Sequence, residues 1–261
     1  MSALVRPGRG SYARNVVLPV VIAAVAFVAA WKAVVVIGHF PTFILPSPEI
    51  VAARLVDAWL DGTMTPHVLA TLSEIGWGLL VGASLGVVIG YLLARSPLAE
   101  RLLSPYLVAA QATPILALAP LLVLWLGTGL AAKVVICALI VFFPVVVATI
   151  VGIRSVDSRL LELGRSLRAT RWQVVRHLEI PAALPQILGG MRVGATLAVI
   201  GAIVGEWAGA DRGLGYLINL SRSSLFDIPL MFATLVTVAA IGVLLYLAVV
   251  LVERALVGSW R

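Results

Sequence analysis

Residues 155–185, SVDSRLLELGRSLRATRWQVVRHLEIPAALP, form a charged segment between two long apolar stretches. Between Arg154 and Glu179 the chain carries six arginines and three acidic residues. An unpaired charge at the centre of a bilayer costs at least about 2.5 kcal/mol, so a segment this polar cannot stay in hydrocarbon. We therefore expect it to lie in water, between two spans of a membrane protein.

The first half of this segment predicts a short amphipathic helix. Asp157 can cap its amino end. The apolar residues then recur at spacings of three and four and form one stripe: Leu160, Leu161, Gly164 and Leu167. The opposite side carries charged residues three positions apart, which can pair in water: Arg159, Glu162 and Arg165.

The second half predicts another short helix. Thr170 followed by Gln173 has the form of a capping box, which marks a helix start. Pro181 should end this helix, because proline interrupts the helical hydrogen-bond ladder. We expect the two short helices and the turn between them to lie beneath a membrane protein.

The composition of the chain indicates a polytopic membrane protein. Of its 261 residues, 61% are hydrophobic and 12% charged, with a mean hydropathy of +1.09, whereas soluble domains carry about 25% charge. The net charge of +7 is therefore interpreted through its position relative to the spans and not as a nucleic-acid signal. Cys137 is the only cysteine, and the three histidines are far apart, so no disulfide or metal site is predicted.

The hydropathy pattern predicts six spans, at about 16–37, 67–94, 104–126, 131–152, 185–210 and 229–252. With six spans, both termini and fourteen of the 19 basic residues fall on one side, which the positive-inside rule places in the cytoplasm. The chain then divides into a cytoplasmic tail (1–15), a first span with an outer helix (16–66), a core (67–255) and a second cytoplasmic tail (256–261).

The 38–66 segment predicts a further helix outside the membrane. Pro46, Ser47 and Pro48 provide a rigid start, and apolar and charged residues then alternate at helical spacing. This pattern favours an amphipathic helix at the outer interface, anchored by Trp59. The alternative is a solvated linker.

The second predicted span contains a glycine repeat that favours close helix packing. Its small residues recur every four positions: Gly78, Gly82, Gly86 and Gly90. On a helix this spacing makes a bare groove against which a second helix can lie.

Two other spans contain candidates for lining a transport pathway. The third holds Pro114 and Pro120, which should bend it, with Gln111 and Thr113 just ahead of the first proline. A bend used only for packing is the alternative. In the fifth span Glu206 is an acid close to hydrocarbon, which could contact substrate or a gate, or could pair with Arg212. Asn219, in the loop that follows, is a further pathway candidate.

The charged segment resembles the EAA loop of bacterial ABC importer permeases. The resemblance rests on Glu162-Leu163-Gly164 followed by Arg165, Ser166 and Leu167, and then on IPAALP at 180–185. It extends to PILALAPLLVLWLG at 114–127 and GEWAGADRGLGY at 205–216, and so covers nearly all of 67–255. Within this family the chain is most similar to the nitrate, sulfonate and taurine permeases and their relatives for pyrimidine vitamin precursors or riboflavin. The sequence ADRGLGYLI at 210–218 favours the vitamin-related group.

The resemblance implies a type I importer fold and a set of partners. These are two ATPase subunits, a second permease copy that is expected to be identical, an extracytoplasmic solute-binding protein and the lipid of the bacterial inner membrane. The EAA loop would form coupling helices that dock on the ATPase, with these residues at the joint: Leu160, Leu161, Glu162, Gly164, Arg165, Leu167 and Arg168. The family usually has alanines at Leu163 and Gly164, and a glycine at Arg168. Arginine there would cost about 1 kcal/mol or force another turn shape.

The sequence thus favours a permease subunit of an ATP-driven importer for a small organic solute. The chain has no phosphate-binding loop, so ATP and magnesium are assigned to the partner ATPase, and no cofactor, metal or nucleic acid is expected on this chain. The sequence contains no motif of an intramembrane enzyme. The alternative is a secondary transporter or channel driven by an ion gradient, with Lys32, Glu74 and Glu206 as its candidate charges.

Overall fold

The computed structural model describes residues 9–258, and its regular structure in this range is entirely helical. The helices are α1 (Arg9–Ile37), α2 (Pro48–Leu60), α3 (Met64–Arg95), α4 (Pro97–Ala112), α5 (Ile115–Leu126), α6 (Leu130–Arg154), α7 (Ser158–Ser166), α8 (Arg171–Val174), α9 (Ile180–Ala208), α10 (Leu214–Ser223) and α11 (Ile228–Gly258). Five helical stretches of the described chain are long and apolar enough to cross a membrane, and the pair α4–α5 makes up to six. The predicted all-α polytopic fold is confirmed. Helix α1 begins before the predicted edge of the first span, and residues 1–8 and 259–261 of the predicted tails lie outside the described residues.

Helices α3, α6 and α9 pack against one another and form the core of the bundle. All four glycines of the predicted groove on α3 turn toward α6: Gly78, Gly82, Gly86 and Gly90. A Cβ atom at Gly86 would lie 2.9 Å from the Cβ of Val145, closer than real side chains approach. The missing side chains therefore let the two helix backbones come into close contact.

The third predicted span is two helices, not one bent helix. Helices α4 and α5 meet at an angle of 97°. Thr113, between them, has an extended backbone (φ −71°, ψ 125°), as expected for a residue that precedes proline. Pro114 also has no N–H with which to continue the hydrogen-bond ladder of α4. Pro120 lies inside α5 without ending it.

The second helix of the charged segment does not end before Pro181, contrary to the prediction. The chain stays helical from Arg171 to Ala208, passing through a π turn at Val175–Glu179. In this turn the N–H of Ile180 donates to the carbonyl of Val175, one residue further back than in an α-helix. The extra residue loosens the ladder just ahead of the proline, so the helix passes through it.

Helices α1, α2 and α11 lie around this core. The predicted helix of the 38–66 segment is present as α2, which begins at Pro48. It packs on α11, and Arg54 Nε donates to Asp227 Oδ2 at 2.8 Å. Nearly all described side chains of α1 are exposed, and it is held by the ion pair of Lys32 with Glu49 and by the stacking of Trp31 on Phe232.

Candidate functional site

The charged segment folds into a locally capped hairpin made of α7, a turn and α8, residues 158–174, hereafter the hairpin. At its start Asp157 Oδ1 accepts the N–H of Arg159 at 2.9 Å, which is the predicted cap. Thr170 and Gln173 form the predicted capping box at the start of α8. Both caps are made by residues within three positions of each other, so the hairpin shape is specified locally.

The turn of the hairpin has the Schellman geometry. The N–H of Ala169 donates to the carbonyl of Gly164, and the N–H of Arg168 to that of Arg165, both at 2.9 Å. This pattern requires a left-handed residue after the helix, and Arg168 supplies it with a φ of 53°. The arginine thus adopts the conformation that suits glycine, at a cost of about 1 kcal/mol, and the turn shape is kept.

An apolar groove of about 320 Å³ runs along one side of the hairpin. On one wall are Leu160 and Leu163 of α7 and Leu167, which follows its last residue. On the other are Val174, His177 and Leu178 of the following helix. Leu167 is 73% exposed and Leu163 is 54% exposed. Leu163 lay outside the predicted apolar stripe, although its spacing of three from Leu160 and four from Leu167 was a usable signal.

The predicted stripe on α7 does not form a single face, because Leu161 lies on the other side of the helix with Arg165. That side borders a second cavity of about 470 Å³, whose wall also contains Arg95, Arg171 and Glu179. Arg95 Nη1 lies 3.1 Å from Glu179 Oε1, and Tyr91 Oη donates to Glu179 Oε2 at 3.1 Å. These contacts tie the end of α3 to the start of α9.

The predicted pairing of charges along α7 is not seen in the described part of the chain. Arg159 Nε lies 3.6 Å from Asp157 Oδ1, and neither Arg159 nor Arg165 pairs with Glu162. Glu162 is exposed on α7, so its carboxylate is accessible to a partner.

A buried polar cluster lies at the opposite end of the bundle, hereafter the distal end. Glu206, near the end of α9, is 2% exposed, and its Oε1 accepts the hydroxyl of Thr71 at 2.6 Å. Its other carboxylate oxygen accepts the N–H of Gly215, and Thr71 Oγ1 accepts the N–H of Leu214 at 2.9 Å. Glu206 therefore joins α9 to α3 and to the amino end of α10, where a negative charge is favourable. The alternative pairing with Arg212 is not observed.

Glu74 and Lys133 extend this cluster toward α6. Lys133 Nζ lies 3.5 Å from Glu74 Oε1, and both side chains are 3% exposed. An open cleft of about 600 Å³ reaches the pair, with Arg212 in its wall. Neither Lys133 nor Thr71 was among the predicted site residues. Lys133 could have been found, because a lysine inside an apolar span needs a partner.

The structure does not bring the predicted pathway residues together within one chain. Gln111, Thr113 and Pro114 are exposed at the break between α4 and α5. Asn219 lies on α10, in a separate cleft of about 450 Å³. Glu206 is buried in the distal cluster, so the pathway roles of all five stay predictions.

Comparison with known proteins identifies the family to which this fold and hairpin belong. Residues 85–258 match the binding-protein-dependent transport system inner membrane component family. The chain belongs to this family. As a member it is a multi-pass permease subunit of an ABC importer for small solutes, as the resemblance of residues 155–185 implied. The matched range contains the whole hairpin and helices α4 to α11.

Several curated permeases are similar over most of their length. The riboflavin transport system permease protein RibX of Chloroflexus aurantiacus is 44% identical over 227 residues, covering 87% of this chain and 84% of RibX. The formylaminopyrimidine transport permease protein ThiX of Halalkalibacterium halodurans is 37% identical, covering 84% of this chain and 86% of ThiX. The putative aliphatic sulfonates transport permease protein SsuC of Bacillus subtilis is 34% identical, covering 98% of this chain and 91% of SsuC.

Solved structures share the permease fold. The MetNI methionine ABC transporter, in an inward-facing conformation, superposes with a TM-score of 0.65 at 22% identity, covering 74% of this permease and 95% of that chain. An amino acid ABC transporter superposes with a TM-score of 0.59 at 21% identity, covering 78% of this permease and 97% of that chain. The shared architecture thus extends over nearly the whole of each solved chain and over about three quarters of this permease.

Proposed function

We propose that this permease moves a small organic solute inward across the bacterial inner membrane, driven by ATP that a separate subunit hydrolyses while docked on the hairpin. The observation that carries this proposal is the apolar groove of the hairpin. Leu163 and Leu167 are exposed there, at 54% and 73%, in a segment too charged to be covered by lipid. Burying a leucine side chain contributes about 1.5–3 kcal/mol, so a partner that fills the groove would bind on its apolar wall.

The connections of the hairpin support its role as a lever. Helix α6 ends at Arg154, three residues before the cap at Asp157, and α8 continues without interruption into α9. Helices α6 and α9 pack closely on each other. A rigid displacement of the hairpin would therefore reach both helices, and ATP binding in the partner would stabilise one of two packings of the bundle.

The distribution of arginines and the exposed helices support an orientation and an assembly for the permease. The hairpin end carries most of the arginines, so it would face the cytoplasm by the positive-inside rule. The distal end would then meet the solute-binding protein. Helices α4 and α5 expose most of their described side chains, which leaves surface for a second permease copy beside the pathway. Two ATPase subunits would serve the two hairpins.

The solute is proposed to be a vitamin-type heteroaromatic compound, such as riboflavin or a pyrimidine precursor. This proposal is supported by the similarity to the riboflavin permease, at 44% identity, and to the formylaminopyrimidine permease, at 37%. The sulfonate permease is less similar, at 34% identity. Screening these three compound classes against the cognate binding protein tests it. Selective binding of a sulfonate would contradict the assignment.

The docking step is tested by ATPase stimulation in proteoliposomes that contain the permease, its ATPase and the loaded binding protein. Leu167→Asp should reduce stimulated hydrolysis and uptake by about tenfold or more, because a charge would be buried in the joint. Leu225→Asp changes another exposed leucine (53%), at the distal end, and is the control: it should leave copurification of the ATPase with the permease at the wild-type level, whereas Leu167→Asp should weaken it. If Leu167→Asp leaves stimulated hydrolysis and uptake intact, docking through the groove is wrong.

A further inference from the structure

The cavity on the Arg165 side of α7 contains positive charge that the docking groove does not use. Three arginines line it, Arg95, Arg165 and Arg171, together with one acid, Glu179. Arg95 forms an ion pair with Glu179: its Nη1 lies 3.1 Å from Oε1 of this carboxylate, whose side chain is 1% exposed. Within residues 9–258 no carboxylate pairs with Arg165 or Arg171. The cavity wall therefore carries two positive charges without a counter-charge.

We propose that this cavity binds a phosphate-type anion, held by the guanidinium groups of Arg165 and Arg171. A guanidinium presents planar pairs of N–H donors that match phosphate oxygens, and it stays charged at any physiological pH. Glu179 does not repel such an anion, because Arg95 already neutralises its carboxylate and Tyr91 donates a hydrogen bond to it. The cavity volume of about 470 Å³ leaves room for a phosphate and the group that carries it.

The position of the cavity indicates where such an anion would come from. Arg95 is the last residue of the spanning helix α3, so the cavity lies level with one end of a span. With the hairpin end in the cytoplasm, as proposed above, this is the depth of the inner-leaflet headgroups, and basic pockets at that depth bind anionic lipids. The phosphate could belong to such a lipid or to a free phosphate in solution. The groove proposed for the ATPase opens on the other side of α7, and only Ala169 and Val174 border both cavities.

The test uses the full-length permease in nanodiscs, with two double variants that each remove two positive charges from the loop. Arg165→Gln/Arg171→Gln changes the cavity, and Arg159→Gln/Arg176→Gln changes exposed arginines outside it. Thermal unfolding is measured in phosphatidylcholine, in phosphatidylcholine with phosphatidylglycerol, and in phosphatidylcholine with inorganic phosphate. Native mass spectrometry after mild detergent extraction counts retained phosphatidylglycerol. The cavity variant should bind the anion about tenfold or more weakly than the wild type, whereas the control variant should bind as the wild type does.

The outcomes distinguish the two sources of the anion, and some of them would contradict the proposal. Stabilisation by phosphatidylglycerol alone assigns the site to a lipid headgroup, and stabilisation by inorganic phosphate assigns it to a free anion as well. Equal losses in both double variants would show that binding follows total charge, and the proposal would then be wrong. It would also be wrong if neither phosphatidylglycerol nor inorganic phosphate stabilised the wild type and no phosphatidylglycerol were retained. The readouts do not involve uptake, so the proposed transport function can fail independently.

Discussion

At the scale of single residues, Arg168 keeps the turn of the hairpin in a conformation that favours glycine. Its φ of 53° lies in the left-handed region, which costs a side chain with a Cβ about 1 kcal/mol. Arg168→Gly should therefore stabilise the permease by about 0.5–1 kcal/mol, seen as a higher thermal unfolding midpoint in detergent. Ala169→Gly is the control: Ala169 is not among the left-handed residues, so this change should give no gain. A gain from both changes would contradict the explanation.

Thr71 is the residue that links the distal cluster. Its hydroxyl bonds to Glu206 on one side and to the N–H of Leu214 on the other. Thr71→Val should destabilise the permease by about 1–3 kcal/mol, because it leaves buried groups without partners, and Thr71→Ser should recover most of the loss. Thr234 is also fully buried but bonds only to the carbonyl of Leu230 in its own helix, so Thr234→Val should cost much less. Thermal unfolding of the three variants compares them directly. Equal losses of stability in Thr71→Val and Thr234→Val would show that Thr71 does not link the cluster.

At the scale of helices, the contact of α3 with α6 depends on the missing side chains of α3. A Cβ at Gly82 would collide with the backbone of Ala138, which cannot move aside as a flexible side chain could. Gly82→Ala should therefore cost about 1–3 kcal/mol through overpacking. Gly76→Ala places the same methyl group on the same helix where nothing lies within 4 Å, and should be neutral or stabilising. Equal unfolding midpoints for the two variants would show that the glycine face does not set the helix separation.

At the scale of the whole molecule, α1 makes few contacts with the rest of the bundle. It is held mainly by the Lys32–Glu49 ion pair and the stacking of Trp31 on Phe232. The hydrogen bond from Lys32 lowers the pKa of the Glu49 carboxyl. This ion pair is therefore present above the usual glutamate range and is lost as the pH falls through the lowered pKa.

Removal of residues 1–37 should therefore leave a folded core. We expect a small change in thermal unfolding and unchanged helicity per residue by circular dichroism, because the removed helix covers almost no buried surface. Truncation before Ile228 is the comparison, since α11 contributes the fully buried Leu230 and Ala233 and its loss should prevent folding. Unfolding of the first truncation would show that α1 is part of the core.

Features that depend only on neighbours along the chain could be predicted from the sequence. The charge of residues 155–185 predicts that they lie outside the membrane, because the cost of burying charge in lipid does not depend on how the rest of the chain packs. The caps at Asp157 and Thr170 were predicted correctly, since each uses a partner within three residues. Pro114 also marked the position at which the third span is interrupted, although the structure has two helices there and not one bent helix.

The tertiary structure alone decided the features that depend on residues far apart. Glu206 meets Thr71 across 135 positions, and Lys133 meets Glu74 across a helix interface, so neither pair has a local pattern. The division of the α7 leucines between two cavities likewise depends on where α3 and the following helix lie. A buried charge requires a partner, but only the packing of α3, α6 and α9 decides which one it finds.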